Sequence, residues 1–483
     1  MKKNAIITLI ISILFSLPAA LFSQDFRKEF FQGNWVENIG FKGYEFKTDT
    51  FNVMDYGAKN KGIFLTTKEI QDAIDACELN GGGVVYIPDG AYHVGSLFLK
   101  SNIHLLLGDS VRLLGSMDLD DYRKQHTRIA GVEMEWPMAM INVVDAINVK
   151  ISGSGTVNGR GKPFWAEFWN SRYVYEAKGV RWAIDYDIER PRMILIQESS
   201  NVHITGLTLK ESAFWTVHLL YSNRVTVDRV TIRNNMDGEH GPSTDGIDID
   251  SSEDILVEQC NIDCNDDNFC LKAGRDADGL RVNRPCRYIV LRHNITRGGE
   301  GLFSLGSETS GGINHVYVHD MKAEGTNAGI RFKSARTRGG VLEDILVENV
   351  EIVDVDYVFR ISMNWNPAYS YTELPEGFAY ESIPEKWRLM LQRVEPEEKG
   401  YCRIRNVLIS NLEARDCEQA FFVEGFEHVP VEGLRFEYTR VSATSGGTIT
   451  YAKGWEAKNA SFIFENGKAP EMTGCKGISQ IFK

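Results

Sequence analysis

Pairs of short runs of alternating aliphatic and β-branched residues recur along this chain, broken by Asn, Asp or Gly. Examples are "NVKISGSGTVNG" from Asn148, "NVHITGLTLKES" from Asn201 and "DILVENVEIVDVD" from Asp344. Between Asn201 and Asp344, successive units start 22 to 34 residues apart. Short strands at such spacing, without helical or heptad periodicity, are typical of a solenoid. The repeat therefore constrains the fold more strongly than any other feature.

The repeats predict an all-β chain that forms a single right-handed parallel β-helix. Each coil would pair with the next at about 4.8 Å, with Ile, Leu and Val side chains stacked inside. A β-propeller needs about four strands per repeat, and these units supply two or three. A β-sandwich would contain fewer and less similar units.

The ends and interruptions of the repeat indicate how the solenoid is capped. The stretch "TTKEIQDAIDACELNGGG" has the helical pattern Ile70, Ala73, Ile74 and Cys77 and ends in three glycines. It predicts a helix that closes the N-terminal end of the core. Over residues 357–401 the repeat gives way to a segment rich in aromatics, Pro and Glu, which predicts a long loop excursion. We expect residues 24–483 to form one domain.

The first residues, "MKKNAIITLIISILFSLPAALFSQ", have the layout of a secretory signal peptide. A basic start precedes an apolar run and then small residues, which predicts a signal peptide over residues 1–23 with cleavage near Ser23. A membrane anchor is the alternative, but the run is short and Pro18 interrupts it. We therefore expect an exported, soluble protein, in the periplasm or outside the cell.

The chain is acidic, and this limits its partners. Loss of Lys2 and Lys3 with the signal peptide takes the formal net charge from -13 to -15. Such a surface disfavours nucleic acid and anionic membranes. An acidic substrate would need a local basic patch. We expect a monomer that binds neither nucleic acid nor membrane.

Eight cysteines are present, and four of them fall between residues 260 and 286. No CxxC pair occurs and no histidine stands at ligand spacing, so a zinc site is weakly supported. Buried thiols, or one or two disulfides in an oxidising compartment, remain the two alternatives.

The stretch from Ser243 to Gly274 concentrates nine acidic side chains on neighbouring strands. Asp245 and Asp266 are 21 residues apart, which is about one coil. Residues one coil apart lie above one another, near 5 Å between strands, and Asp267 adjoins Asp266 at a turn. These three carboxyl groups are therefore predicted to converge on one patch.

The next coils add a further acid and two cations. Glu300 lies in "GGEG", and one coil further "GIRFKS" contains Arg331 and Lys333. Arg331 and Lys333 are two residues apart, so in a strand both side chains point from the same face. Both could therefore bind the same carboxylate. They would supply the basic patch that an acidic sugar requires on an acidic protein.

Such a set of groups suits glycoside hydrolysis with inversion. One carboxylic acid must be protonated to reach the leaving oxygen, and another must be ionised to activate water. The two are expected to lie about 6.5–9.5 Å apart, which leaves room for the water. Crowding raises one pKa and leaves another low, which separates the acid from the base.

Four triplets occur in order at coil spacing: "STD" at 243–245, "NDD" at 265–267, "GEG" at 299–301 and "RFK" at 331–333. They resemble the pattern of glycoside hydrolase family 28, the polygalacturonase family: Asn-Thr-Asp, Gly-Asp-Asp, Gly-His-Gly and Arg-Ile-Lys. The surrounding "LKAGRDADG" and "LFSLGSETSGG" match as well. The resemblance covers the chain from about residue 45 to residue 440.

The resemblance implies a pectin-lyase-like β-helix and a role for each matched residue. Asp266 would be the general acid, and Asp245 and Asp267 would hold and activate the water. Arg331 and Lys333 would grip a substrate carboxylate beside the cleavage point. The implied substrate is a pectic, galacturonate-containing glycan, and no metal or other cofactor is implied.

Two departures from the family pattern matter for the site. Ser243 replaces Asn and keeps a polar contact. Glu300 replaces His and adds a possible fourth carboxylate, which would raise a neighbouring pKa if ionised or donate a proton if not. The change bears on specificity more than on hydrolysis. Both residues are candidate substrate-binding groups.

The surroundings "GRDADG" and "GSETSGG" resemble exo-acting members, and the excursion at 357–401 could close one end of a groove. We therefore expect attack from chain ends. Three alternatives stay open: a rhamnogalacturonan-type hydrolase of the same family, a non-catalytic pectic glycan-binding protein, and a calcium-dependent pectate lyase. Clustered aspartates could ligate calcium, although Asp248-x-Asp250 does not continue as an EF-hand.

Four further polar residues in this region carry weaker expectations. Asp248 and Asp250 alternate with isoleucines and are expected to face solvent. His218 is expected to be a core histidine whose ring nitrogens have hydrogen-bond partners. Lys272, in an alternating stretch after the acid pair, is left open between a site role and a structural one.

Overall fold

Each coil of the chain contributes up to three short strands, and these stack in parallel on the strands of the next coil. The computed structural model describes residues 25–235 and 238–482, so the predicted signal peptide lies outside the described residues. The architecture is a right-handed parallel β-helix, which confirms the predicted fold. Across the described ranges, none of the helices has the length and apolar character needed to cross a membrane.

The strands form three faces that run along the solenoid. The first, which we call the site face, consists of Leu97–Leu99, Ile141–Val144, Ile194–Gln197, Val217–Leu220, Ile247–Asp250, Phe269–Lys272, Phe303–Leu305, Ala328–Lys333, Tyr357–Ser362 and Glu471–Thr473. The second face consists of Thr50–Asn52, Gly83–Ile87, Ile103–Leu107, Ile147–Gly153, Ser200–Thr205, Asn223–Asp228, Glu253–Glu258, Cys286–Arg292, Leu434–Glu437 and Glu456–Lys458. The third face consists of Lys61–Leu65, Gly90–Val94, Val111–Gly115, Thr156–Asn158, Thr208–Lys210, Thr231–Arg233, Asn261–Asp263, Ile295–Arg297 and Ser461–Phe464.

Towards the C-terminal end, long strands bend from one face into the next. Ile313–Glu324 and Val341–Val353 run through the second and third faces, Arg403–Glu424 continues into the site face, and Arg440–Thr450 spans the third and site faces. A small parallel pair, Val431–Glu432 with Ala452–Lys453, accompanies them. The turns between faces are shallow enough here for the hydrogen-bond ladder to continue around the bend.

The repeat in the sequence marks the bend between the site face and the second face. Asn148, Asn201, Asp254, Asp344 and Asn406 begin their repeats, and each has a positive φ of 53° to 59°. Asn and Asp tolerate this left-handed conformation better than other non-glycine residues. Their side chains also stack, because Asn201 donates to Asn148 at 2.9 Å. The recurrence of Asn and Asp therefore reflects one turn per coil.

Inward side chains stack in columns through the coils. On the site face, Ile249, Leu271, Leu305, Phe332 and Ile361 follow one another in register, and each is at most 1% exposed. Burial of a side chain of this size stabilises the fold by about 1.5–3 kcal/mol. Outward residues alternate with this column, and three of them, Lys272, Arg331 and Lys333, belong to the site.

The N-terminal end is closed by the helix Thr67–Leu79, as predicted. Ile70, Ala73, Ile74 and Cys77 are each 0% exposed and face the first coils. At the other end, the 3-10 turn Ser479–Phe482 covers the last coil. The remaining 3-10 turns are Gln32–Asn38, Val53–Tyr56, Leu119–Asp121, Arg181–Ala183, Tyr380–Ser382 and Glu397–Gly400.

Three segments leave the coils and pack together over the N-terminal half of the site face. The first is an antiparallel hairpin, Lys124–Ile129 with Val132–Pro137. The second is an insertion at 159–193 with helices Lys162–Ala177 and Ile184–Asp187. The third, after Ser362, contains the short helices Pro367–Ser370 and Glu385–Met390. One apolar cluster joins them: Ile129, Ala130, Val132, Met134, Trp136, Val180, Trp182, Ala183, Tyr186, Phe214, Trp215, Ile383, Trp387 and Met390.

All eight cysteines fall in the described ranges and are free thiols. Seven are buried, and Cys475 is partly exposed. Of the two alternatives left open by the sequence, the structure contains buried thiols.

Candidate active site

Asp267 lies at the centre of a buried ion-pair network on the site face. Its carboxylate contacts Arg331 at 2.9 Å and the ammonium group of Lys333, and the Ser304 hydroxyl donates to it at 2.6 Å. Arg331 and Lys333 are each 4% exposed. Burial alone would raise the pKa of Asp267, but Lys333 and Arg331 hold it well below its usual range. Asp267 is therefore an ionised carboxylate at neutral pH.

Asp266, the preceding residue, has the opposite electrostatic character. Its carboxyl group lines a cavity. Burial, followed by the charge of Asp267, raises the pKa of Asp266 to about 6. A carboxyl group with this pKa still carries a proton in weakly acidic solution, as a general acid must.

Asp245 completes the predicted trio. One oxygen from each of Asp245, Asp266 and Asp267 lies within 4.8 Å of the others. The convergence expected from coil spacing is present, but the groups are closer than the 6.5–9.5 Å expected for an inverting pair. The reason is geometric: strands of adjacent coils are about 4.8 Å apart, so side chains on adjacent coils meet directly.

Behind Asp245 lies a second charged cluster centred on Lys272. The Lys272 ammonium group lies 3.6 Å from Asp245, 3.5 Å from Asp248 and 3.5 Å from Glu308, and 4.8 Å from the centre of the Trp215 ring. Burial, and then Asp248, raises the pKa of Asp245 well above its usual range. Burial likewise raises the pKa of Asp248, against the opposing charge of Lys272. Asp245 and Asp248 are thus two buried acids with raised pKa values beside one lysine.

The expectation that Asp248 and Asp250 face solvent is wrong. Both point outward from the coil, as their alternation with isoleucines requires, yet both are 0% exposed. Arg128 of the hairpin covers Asp250 with an ion pair of 2.8 Å. Burial would raise the pKa of Asp250, but Arg128 and His218 hold it at about 2. The outward direction leads to solvent only where nothing packs over the sheet.

His218 is fully buried, and its Nδ1 lies 2.8 Å from Arg192. Burial lowers its pKa to about 4, so the ring is neutral at pH 7. It belongs to the covered part of the site face beside Asp250, and it does not line the cavity.

Glu300 lies at the edge of the network, where the family pattern has a histidine. Its Oε2 is 2.9 Å from Arg331 and 3.6 Å from Arg360, and its side chain is 36% exposed. Arg331 and Arg360 are in register on adjacent strands. Glu300 is thus an accessible carboxylate held by two arginines.

Ser243 also lines this cavity. Its hydroxyl donates to Asp185 at 3.3 Å. Asp185 comes from the insertion and also pairs with Arg181 at 2.8 Å and Arg190 at 3.2 Å. Burial would raise the pKa of Asp185, but these two arginines lower it. Ser243 therefore connects the coils to the insertion.

All seven residues predicted for the site border one cavity of about 740 Å³, or lie directly beneath it in the case of Asp267. The hairpin reaches it through Ala130, the insertion through Trp169 and Arg181, and the excursion through Trp365. Together these segments form a wall across the N-terminal side.

Arg275, in the "GRDADG" segment that follows Lys272, fastens the wall. It donates to the Tyr186 hydroxyl at 2.8 Å and pairs with Asp276 at 3.0 Å, and its guanidinium lies 4.8 Å from the centre of the Tyr369 ring. It thereby holds the insertion and the excursion together behind the cavity.

Two groups of side chains have the spacing of metal ligands: Asp245, Asp248 and Cys270, and Asp245 with Asp266 and Asp267. Lys272 lies beside the first group, and Lys333 contacts Asp267 in the second. Ammonium groups already supply positive charge to both. The expectation of no metal cofactor stays a prediction.

Comparison with known proteins decides the family. The profile described as "Glycosyl hydrolases family 28" matches residues 77–379. The chain belongs to glycosyl hydrolases family 28. The match includes the four triplets that carry the resemblance, and the glycosidic bond is therefore the bond type on which this family 28 protein acts.

Relatives and solved structures agree with this assignment. A "Probable polygalacturonase" of Vitis vinifera is 29% identical over 353 residues, which are 70% of this chain and 68% of the relative. An "Exo-poly-alpha-D-galacturonosidase" of Dickeya chrysanthemi is 28% identical over 332 residues, 62% of this chain, and this chain spans only 54% of that relative's length. The exopolygalacturonase of Thermotoga maritima has the same fold, with a TM-score of 0.75 at 23% identity, covering 92% of this chain and 96% of that one.

Several polar residues of this family 28 site were not singled out as site residues from the sequence. Glu308 and Arg360 lie on later coils, Asp185 lies in the insertion, and Asp248 was expected in solvent. Glu308 falls within "GSETSGG", a segment matched to the family, which was the available signal for it. The sequence offered no signal that places Asp185 beside Ser243.

Proposed function

We propose that this protein is an exported, inverting family 28 glycosidase that removes galacturonate from the ends of pectic chains. The observation that carries the proposal is the pair Asp266 and Asp267, one with a raised pKa and one with a lowered pKa, at the base of a walled cavity. Such a pair supplies a proton donor and a stable negative charge side by side.

In the proposed reaction, Asp266 donates its proton to the glycosidic oxygen as the bond from that oxygen to the anomeric carbon breaks. A water molecule forms the new bond to the anomeric carbon and gives its proton to Asp245. Asp267 stays ionised and stabilises the positive charge that develops on the sugar. Asp245 then releases its proton to solvent and Asp266 takes one up from solvent, so both residues return to their starting states.

Asp245 can accept a proton only when it is ionised, although burial and Asp248 raise its pKa. In the proposed reaction Asp248 is protonated while Asp245 is ionised, and Lys272, 3.6 Å from Asp245 and 3.5 Å from Asp248, stabilises the charge. We therefore assign Asp248 and Lys272 as positioning residues for Asp245. Ser243, Glu300, Arg331 and Lys333 are the proposed substrate-binding groups.

The wall supports attack at chain ends. A polymer that crossed the site would have to pass through the hairpin and the insertion, whose Ala130 and Trp169 border the cavity. The coils that follow Glu300 present Asn327 and Arg360, both partly exposed, so the groove continues on that side. The terminal sugar would therefore occupy the walled side, and the leaving group would extend over the later coils.

The similarity to a probable polygalacturonase and to an exo-poly-alpha-D-galacturonosidase supports the same substrate class. Export rests on the predicted signal peptide. A mature N-terminus near residue 24, determined by mass spectrometry of protein from the culture fractions, would test it.

The test of function is a product profile on defined pectic oligosaccharides, including oligogalacturonides and rhamnogalacturonan fragments. We expect release of single galacturonate units with little early fall in the viscosity of polygalacturonate. An Asp266→Asn variant should release none at a comparable rate. Products with ultraviolet absorbance would indicate a lyase, tight binding without turnover would indicate a binding protein, and either outcome would overturn the proposal.

A further inference from the structure

Glu300 occupies the position at which a substrate carboxylate would be expected. Its Oε2 lies 2.9 Å from Arg331 Nη1, and Asp267 Oδ1 lies 2.9 Å from the same nitrogen. Two carboxylates of the protein itself therefore lie at ion-pair distance from that nitrogen, which donates its hydrogen bond to Asp267. Arg360, the next cation along the groove, is 3.6 Å from Glu300.

The location of Glu300 relates it to the leaving group. Its backbone N–H donates to the carbonyl of Asp266 at 3.0 Å, so it stands directly beside the proposed proton donor. It lies one coil beyond Asp266, on the side away from the wall. If Asp266 protonates the leaving oxygen, the sugar attached to that oxygen meets Glu300 first. This step rests on the proposed function.

The charges at this position determine what such a sugar can carry. Lys333 is already paired with Asp267, and Arg331 is paired with both Asp267 and Glu300. A uronate carboxylate placed here would meet the accessible Glu300 carboxylate, and like charges at this distance repel. A hydroxyl group of an uncharged sugar would instead donate a hydrogen bond to Glu300.

We infer that Glu300 makes this enzyme selective for galacturonate linked to an uncharged leaving group, such as a neutral hexose, a deoxyhexose or an esterified uronate. Glu300 substitutes for the substrate carboxylate on Arg331 and rejects a free uronate by repulsion. Specificity then results from one carboxylate that belongs to the protein and not to the substrate.

The test compares two substrates that differ by one charge: digalacturonate, and digalacturonate with a methyl ester on its reducing-end unit. For the wild type, we expect kcat/KM to be higher for the ester by about tenfold, which corresponds to 1.4 kcal/mol. In Glu300→Gln, the ratio should fall towards one, mainly through a lower KM for the free acid. Glu300→His, which restores the family pattern, should move the ratio in the same direction.

Glu253→Gln is the matched control, because Glu253 pairs with Arg287 at 2.7 Å on the second face, away from the cavity. It should leave the ratio unchanged. A wild type that prefers the free acid, or a Glu300→Gln variant with an unaltered ratio, overturns this inference and leaves the proposed function intact. A wild type that cleaves neither substrate overturns both. Should the variants lose all turnover, the wild-type ratio alone decides.

Discussion

Asp266 and Asp267 are consecutive in the chain, and the pKa values of their carboxyl groups are shifted in opposite directions. Asp267 is embedded between Arg331 and Lys333, whereas Asp266 faces the cavity and has Asp267 itself as a negative neighbour. Arg331 and Lys333 lower the pKa of Asp267. Their effect on Asp266 is too small to offset burial, which raises the pKa of that residue. The turn between two coils thus places a proton donor, Asp266, and a lasting negative charge, Asp267, on consecutive residues.

The first prediction concerns the pH dependence of turnover. Asp266 must be protonated to act, and its pKa is about 6, so kcat/KM should fall as the pH rises through this value. The Glu300 charge contributes to raising that pKa. Glu300→Gln should therefore move the alkaline limb to lower pH, as measured by pH–rate profiles on the esterified substrate. A limb that moves to higher pH would contradict the assignment.

The second prediction contrasts the two aspartates by substitution. Asp266→Asn should lower kcat by about 10²–10⁴. It should not destabilise the fold at pH 7, because an acid with a raised pKa opposes folding once it ionises. Thermal and urea unfolding measure the stability.

Asp267→Asn should lower both activity and stability, since it leaves Arg331 and Lys333 buried without their carboxylate. We expect a loss of about 3 kcal/mol in the free energy of unfolding at pH 7. Because its folded pKa is depressed, the Asp267 contribution is present above the unfolded pKa and is lost as the pH falls towards the folded one. Equal stability of the two variants at pH 7 would argue against the opposed charge states.

The sequence was sufficient to predict the coils and the convergence of the three aspartates. Repeat spacing places Asp245 and Asp266 on adjacent coils, and strand parity places Arg331 and Lys333 on one side. Both follow from the backbone alone: an alternating strand has only two sides, and a solenoid stacks equivalent positions.

The surroundings of the outward residues could not be predicted in the same way. Asp250 is covered by Arg128, which is 122 residues away in the chain. Alternation shows that Asp250 points out of the coil but not what packs above it. Burial on the outer side depends on segments without the repeat, and periodicity carries no information about where those segments fold.

The third prediction tests the cluster around Lys272. Lys272→Met leaves Asp245, Asp248 and Glu308 buried without their cation, and should lower the free energy of unfolding at pH 7 by about 3–5 kcal/mol. The loss should shrink at low pH, because these carboxyl groups then take up protons. Urea unfolding at pH 4.5 and pH 7.5 measures the difference.

Two further variants test whether the loss of stability in Lys272→Met comes from the unpaired carboxylates around it or from the removal of a lysine as such. Glu308→Gln in the Lys272→Met background removes one of the stranded charges and should recover part of the stability. Lys68→Met, at an exposed pair with Asp72, should change little at either pH. A pH-independent loss in Lys272→Met would mean that packing, not charge, is the role of this lysine.

The last prediction concerns the stereochemistry of the product. One carboxyl oxygen from each of Asp245, Asp266 and Asp267 lies within 4.8 Å of the others, nearer than the carboxyl groups of an inverting pair usually are. Retention would nevertheless require one aspartate to attack the sugar as a nucleophile. Asp267 is poorly suited to this, because Arg331, Lys333 and Ser304 engage its oxygens. Asp245, when ionised, can accept a proton from water, and burial and the neighbouring Asp248 raise its pKa, which makes it a stronger base than an ordinary aspartate. We therefore expect the first-formed galacturonate to have the inverted anomeric configuration, observed by proton NMR within the first minutes before mutarotation. A retained anomer, or a glycosyl adduct on Asp245 in the intact-mass spectrum, would exclude the single-displacement mechanism.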